Sequence, residues 1–466
     1  MHRTPIACAF FALLFAPLLT SCGSSSGLSA DAPNVLLIAV DTLRADHLGA
    51  WGYERATSPA VDALAAEGVR FSRATAPAPW TLPSIASLNT GLYPASHSLV
   101  GASDALAFEA VTLAEVLGSH GFATSAVIGN SLLHARLGHS QGFDAYDMEE
   151  ATGHTAITTP GITARAKTQL AALAKQDKPF FLSLLYYDPH YDWKSHGFGF
   201  ADEAAGLLDE DTPIQDLRDA AANGTLSEAE RQLLVDRYDE EIRFTDEGIA
   251  ELLSELARLG LDKNTLVVFV ADHGEEFLEH GWLGHTRFLF DGMVHVPLIV
   301  RDPREAAHHG EVVDTRVSTV SVMPTILDLV GIDPAPWAFD EPSLAAAVRG
   351  EALESHPIFT MVDFEAAQKR NAAKAAHLEA VVFDDIKWIR PSQGRGGPLQ
   401  RYDLASDPGE TAPELFAAEA PEAREPRQAL EKAWAQFAKR ALPHRSAAYS
   451  QAELDEMQKL GYLDHE

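Results

Sequence analysis

Three unbroken apolar runs, Asn34–Val40, Phe180–Tyr187 and Thr265–Ala271, constrain this chain more than any other feature. A strand with one wet face alternates apolar and polar residues, whereas a continuous run is the pattern of a strand buried on both faces. Strands of that kind belong in a mainly parallel sheet flanked by helices. The first run ends in Asp41, the third in Asp272-His273-Gly274, and the second leads into Asp188-Pro189-His190. Ligands of open α/β sheets gather beyond the carboxyl ends of the strands. Carboxylate oxygens and a neutral imidazole suit a divalent cation, so Asp41, Asp272 and His273 are candidate metal ligands.

A hydroxyl belongs beside them. In Ala78-Pro79-Trp80-Thr81-Leu82-Pro83-Ser84 the prolines and tryptophan make a stiff approach to a helix, with Pro83 in its first turn and Gly91 at its end. Thr81 then stands at or just before a helix N-terminus, where free N–H groups favour an anion. The same position also suits a plain N-cap. Helices are expected over Ser58–Gly68, with Ala60, Val61, Leu64 and Ala65 as the apolar side, over Thr112–His120, and over Ser227–Gly260. A strand over Gly121–Gly129 ends at Asn130. Residues 201–230 are acidic and alanine-rich with little periodicity, and are expected to form a surface excursion over the site. Trp193, Phe198 and Phe200 suit either a substrate groove or a covered edge. A hairpin is expected across Asp384-Asp385, and two helical pieces over Leu415–Leu442, broken at Pro421 and Pro426.

The chain opens with Met1-His2-Arg3 and an apolar stretch from Ile6 to Leu19, short for a bilayer span and right for a signal-peptide core. Leu19-Thr20-Ser21-Cys22-Gly23 resembles a bacterial lipobox, with Cys22 the lipidated residue; an ordinary cleaved signal is the alternative. The expected division is a lipoprotein signal peptide at 1–22 and a Gly/Ser-rich tether at 23–32. This places the protein in the cell envelope, lipid-anchored to a membrane. The other cysteine, Cys8, lies in the leader, so no disulfide is expected in the mature chain. A net charge of -31 argues against nucleic acid and against peripheral binding to anionic lipid.

Val40-Asp41-Thr42-Leu43-Arg44 through Gly49, Trp80-Thr81-Leu82-Pro83-Ser84 through Pro94, Ala271–Glu275, Glu279-His280-Gly281, Trp282–His285, Val296–Val300 and Met323–Leu327 follow one another in a familiar order. From residue 33 on, the chain resembles the sulfatase family of the alkaline phosphatase superfamily. The resemblance implies an α/β catalytic domain at 33–345 and a small C-terminal α+β subdomain at 346–466. It also implies an ester hydrolase whose divalent cation (Ca, Mn, Mg or Zn) is held by Asp41, Thr81, Asp272 and His273. His190 matches a histidine that contacts the ester, while Asn130 and His285 stand where the family carries cations; all three are candidate substrate contacts.

One departure from the family bears on the chemistry. The family's C/S-x-P-x-R motif, whose first residue is oxidised to formylglycine, is here Thr81-Leu82-Pro83-Ser84-Ile85. A threonine cannot become that aldehyde, so no formylglycine is expected. Threonine is the nucleophile in phosphoryl-transferring relatives of the superfamily. Thr81 is therefore expected to be a metal-activated nucleophile for hydrolysis or transfer of phosphate- or sulfate-type esters, with His285 and His190 stabilising or protonating the leaving oxygen. With fewer fixed cations, a phosphodiester or phosphonate-type ester of an envelope glycan or lipid suits the pocket best. The alternatives are a sulfuric ester hydrolase and a catalytically dead relative that binds an anionic envelope polymer.

Overall fold

The structure is a computed structural model describing residues 32–446 except 152–156, 191, 204–207, 365–375 and 393–396. The signal peptide, most of the tether and Cys22 lie outside the described residues. The three apolar runs are central strands of one nine-stranded sheet: β1 (Asn34–Val40), β5 (Phe180–Tyr186) and β6 (Thr265–Ala271). With β2 (Val69–Thr75), β3 (Ala123–Ile128), β4 (Ala145–Asp147), β7 (His295–Arg301), β8 (Val312–Val313) and β9 (Val317–Ser318), the order is β8-β2-β7-β6-β1-β5-β3-β4, β9 also pairing with β2.

Strands β6, β1, β5, β3 and β4 run parallel, and only β7 is antiparallel to both its neighbours. Val40 pairs with Tyr186 on one side and Ala271 on the other. That register brings the residues after all three strands, Asp41, Tyr187 and Asp272, to one edge. Every residue of β1, β5 and β6 is buried, which is the physical content of their unbroken apolar pattern.

Helices α1 (Pro59–Ala66), α2 (Thr81–Thr90), α3 (Leu113–Ser119), α4 (Thr159–Leu173), α5 (Ile214–Ala222) and α6 (Glu228–Arg258) accompany the sheet. Thr112 and Ser227 each accept from the backbone N–H three residues on, and Glu115 and Glu230 return the bond, so both helix starts are capping boxes. On α1, Val61, Leu64 and Ala65 are buried while Ala60 is half-buried.

A second, antiparallel sheet follows the chain in strict order: β10 (Ile358–Phe364), β11 (Ala376–Phe383), β12 (Ile386–Pro391), β13 (Leu399–Asp403) and β14 (Glu414–Phe416). The expected hairpin is β11–β12, turning at Asp384 and Asp385. One expectation needs correction and one gains detail. Residues 201–230, expected as a surface excursion, contain α5. Residues 415–442 are not two broken helices: Leu415 lies in β14, Pro421 opens a short 3-10 turn at Pro421–Ala423, and one helix, α7, spans Arg424–Arg440. Pro426 falls in the first turn of α7, where a missing N–H breaks no helical bond. Trp193 is buried with its ring 4.8 Å from Phe277, which makes it core rather than groove.

Candidate active site

Thr81 is the first residue of α2, and the capping position is Trp80, which makes no side-chain cap bond. The Thr81 hydroxyl is thus not engaged as an N-cap. Its Oγ1 lies 3.3 Å from His273 Nε2 and 3.5 Å from Asn130 Nδ2. His273 Nδ1 stands 2.9 Å from the Gly274 carbonyl, which can only accept, so Nδ1 carries the proton and Nε2 presents a lone pair. That lone pair is 3.5 Å from Asp41 Oδ1 and 3.6 Å from Asp272 Oδ2.

The other oxygens of the two carboxylates are held. Asn130 Nδ2 donates to Asp41 Oδ2 at 2.6 Å, and Asn130 Oδ1 accepts from Leu132 N, which fixes the amide's orientation. Asp272 Oδ1 accepts from the N–H groups of Thr42 and His273. Thr42 has φ 55°, a left-handed conformation that costs a β-branched residue energy. Tyr238 from α6 supports that bend by donating to the Thr42 carbonyl at 2.8 Å and accepting from Arg44 N. Ser84 Oγ donates to the Asp272 carbonyl at 2.6 Å, locking the first turns of α2 against the end of β6.

Among the described residues, Asp41 Oδ1 and Asp272 Oδ2 are buried without a hydrogen-bond partner. Burial, then the neighbouring Asp272 charge, pushes the Asp41 carboxyl well above the usual range. Burial likewise pushes Asp272 up to about 7 and lowers His273, keeping its imidazole neutral. Two buried carboxylates with unpartnered oxygens facing one imidazole lone pair are unfavourable alone and well matched to a divalent cation. Ligand atoms of Asp41, Asp272 and His273 all lie within 4.8 Å of one another. The donor set therefore fits the group.

The remaining expected residues fall on the same edge. The His285 ring is centred 4.6 Å from His273 and 4.9 Å from His190, and His190 stacks on Tyr187 at 4.7 Å. Asp41, Thr81, Asn130, His190, Asp272, His273 and His285 are thus brought together from six separate segments. Two further residues were not among the expected site residues. Glu275 is buried, with Oε1 3.0 Å from His285 Nδ1, and only its place just after His273 could have singled it out. Arg218, from α5, donates through Nε to the Leu283 carbonyl and lies 4.9 Å over the Trp282 ring; nothing in an acidic, alanine-rich stretch signals it.

A mainly parallel sheet with a hydroxyl, two acids and histidines converging at its carboxyl edge defines an α/β ester hydrolase. The chain belongs to the sulfatase family: the family model described as Sulfatase matches residues 33–332. An ulvan-active sulfatase of Formosa agariphila is 28% identical over 404 residues, covering 81% of this chain and 76% of the relative. An arylsulfatase of Clostridium perfringens is 24% identical over 445 residues, covering 81% and 89%. Among solved structures, the phosphonate monoester hydrolase of Agrobacterium radiobacter superposes with a TM-score of 0.70 at 23% identity, over 90% of this chain and 98% of that one. A 2-O GAG sulfatase superposes with a TM-score of 0.69 at 21% identity, over 89% and 95%.

Proposed function

We propose that the protein hydrolyses or transfers phosphate-type esters, monoanionic diesters above all, with Thr81 as the nucleophile. The observation that carries this reading is the Thr81 hydroxyl: it caps nothing, and it sits 3.3 Å from His273 Nε2 at the mouth of the acid pair. Asp41, Asp272, His273 and Thr81 would hold the cation, and a divalent ion there would supply the charge that lowers a hydroxyl pKa and polarises an ester. Thr81 Oγ1, entering as the alkoxide after its proton has been lost to solvent, forms the new bond to phosphorus as the bond to the leaving oxygen breaks, and His285 or His190 protonates that oxygen. Water or another acceptor then cleaves the phosphothreonine. Asn130 supplies an uncharged donor beside Asp41 and Thr81. A pocket with few fixed cations suits one negative charge on the substrate better than two.

The test is a covalent trap. Protein incubated with a slow phosphodiester should carry phosphate on the peptide containing Thr81. Thr81→Ala should lose at least about 1000-fold in turnover. Because the hydroxyl makes no cap bond, the stability change should stay under about 1 kcal/mol. Efficient sulfate-ester turnover with no adduct would overturn the proposal in favour of the second reading, sulfuric ester hydrolysis, which the family itself supports. For location, we propose lipidation at Cys22 and a tether reaching to residue 32, with the substrate an envelope glycan or lipid ester. Cys22→Ala should move the protein from the membrane to the soluble fraction; retention on detergent-washed membranes would count against the anchor.

A further inference from the structure

We infer that a cavity between the two sheets is a second binding site, for a saccharide unit that carries one anionic group. Its volume is about 340 Å³, within the range of small-ligand sites, and it lies where two structural units meet, a common place for them. None of the residues gathered at the catalytic edge lines it. Glu275 is turned to His285, whereas Glu276, on the cavity wall, is turned to His280. The inference therefore needs neither the proposed nucleophile nor the cation.

Two arginines on the wall have donors to spare. Arg73, on β2, donates through Nε to the Asp314 carbonyl and through Nη1 to Asp385, both at 2.5 Å. Arg316, just before β9, is buried at 5% exposure and donates to the Asp384 carbonyl at 3.1 Å and to Thr75 Oγ1 at 3.4 Å. Thr75 follows Arg73 by two positions on β2, on the same face, so both guanidinium groups attach to one wall. Among the described residues each arginine spends two N–H donors on the protein, from the five that a guanidinium carries. The carboxylate beside Arg316 is Asp291, whose Oδ2 is 4.0 Å from Nη1, beyond a hydrogen bond, and whose Oδ1 is taken by Lys387. Forked donors left over on one wall suit the oxygens of a carboxylate or phosphate.

The acids of the wall are neutralised without being used up. Arg44 holds Asp46 and Glu279, His280 Nδ1 lies 2.9 Å from Glu276 Oε1, and Lys387 pairs with Asp291 and Glu410. A carboxylate accepts at about four lone-pair sites, so these groups keep room for hydroxyl donors. His295 adds another acceptor: its Nε2 donates to the Ser72 carbonyl, which leaves the Nδ1 lone pair open. Leu404 and Pro408 supply apolar surface for the C–H face of a ring. A bare anion would use the arginines and leave the acids to water. A sugar with one anionic group uses both, its anion on Arg73 and Arg316 and its hydroxyls on the carboxylates.

Titration calorimetry of the full chain with D-glucuronate and with glucose 6-phosphate tests the site. Saturable binding is expected, and the tighter probe identifies carboxylate or phosphate as the preferred group. Glucose, which lacks the anion, and acetate, which lacks the hydroxyls, should bind at least about 10-fold more weakly than that probe. The methyl glycoside of the preferred probe separates a unit of a glycan, if binding is kept, from a free sugar, if it is lost. Arg73→Gln should weaken binding at least about 10-fold, and Arg73 is exposed enough for that variant to fold even where Arg316→Gln does not. Binding should be the same in chelator and in Thr81→Ala, away from the catalytic edge. Failure of both probes to saturate, glucose or acetate binding as tightly, unchanged binding in Arg73→Gln, or binding lost in Thr81→Ala would overturn the site.

Discussion

Asp41 and Asp272 set two carboxylates against one neutral imidazole, all three side chains being fully buried. In the metal-free protein this arrangement costs stability. Asp272 has its carboxyl raised from 3.8 to about 7 by burial, so between those values the unfolded chain is ionised while the folded one keeps its proton. The folded state then binds more protons, and stability in chelator should fall as pH rises through that window. Adding Ca, Mn, Mg or Zn above pH 7 should raise the unfolding midpoint, because an ion that binds only the folded chain stabilises it by mass action. Asp272→Asn should abolish the cation-induced shift and most of the activity and weaken the pH dependence, of which raised Asp41 keeps a part, while its metal-free form unfolds no earlier than wild type at pH 8. An unchanged cation-induced shift in that variant, read by thermal denaturation, would remove Asp272 from the cation site. Asp41, Asp272 and His273 were visible in sequence because each follows an apolar run. Glu275 was not, because its significance comes only from the loop that returns His285 to it.

The elements most legible in sequence are those whose ends carry their own chemistry. The Ser227–Gly260 reading matches α6 closely, since Ser227 and Glu230 form a local capping box and Gly260 takes φ 72° just past its end. Where an element depends on a neighbour, local signals mislead. The segment 195–201 has no periodicity because Glu240 organises it, accepting from the N–H groups of His196, Gly197, Phe200 and Ala201 and from Ser195 Oγ. Gly248, inside α6, is a sharper case. Propensity alone says that Gly248→Ala should stabilise the helix by about 1 kcal/mol. A Cβ there would lie 2.5 Å from Thr159 Cγ2 and 2.8 Å from Thr163 Oγ1 of α4, so overpacking opposes the gain at a cost of about 1–3 kcal/mol. Net destabilisation is expected in chemical denaturation; a more stable variant would mean that α4 yields freely.

At the scale of the molecule, a buried lysine joins Arg73, Arg316 and the Met361–Pro77 backbone bond in fastening the second sheet to the rest of the chain. Lys387 of β12 donates to the Leu289 carbonyl at 3.0 Å and to Asp291 Oδ1 at 2.5 Å, and its Nζ is 2.8 Å from Glu410 Oε1. Burial pushes Asp291 upward, yet Lys387 and Arg316 outweigh it and hold the carboxyl low. Burial keeps Glu410 raised in spite of Lys387. Lys387→Met would leave buried Glu410 without its cation and half-buried Asp291 with only Arg316 beside it, at a cost of about 3–5 kcal/mol. Adding Glu410→Gln should recover part of that loss, because it removes the buried carboxylate that has lost its partner. A Lys387→Met protein with an unchanged denaturation midpoint would show that the sheets are fastened elsewhere.

The sequence by itself determined the central strands, the acids at their ends, the helix that starts at Thr81 and the family. These are properties of neighbouring residues or of plain chain order: apolar runs, capping residues and each motif are written locally, and the motifs follow one another along the chain. Only the tertiary structure decided that Thr81 caps nothing, that Asn130 braces Asp41, that α5 delivers Arg218 beside Trp282, and that Glu275 meets His285. Each of those contacts joins segments whose relative placement is set by strand register and close packing, and no local pattern encodes where a distant segment will lie.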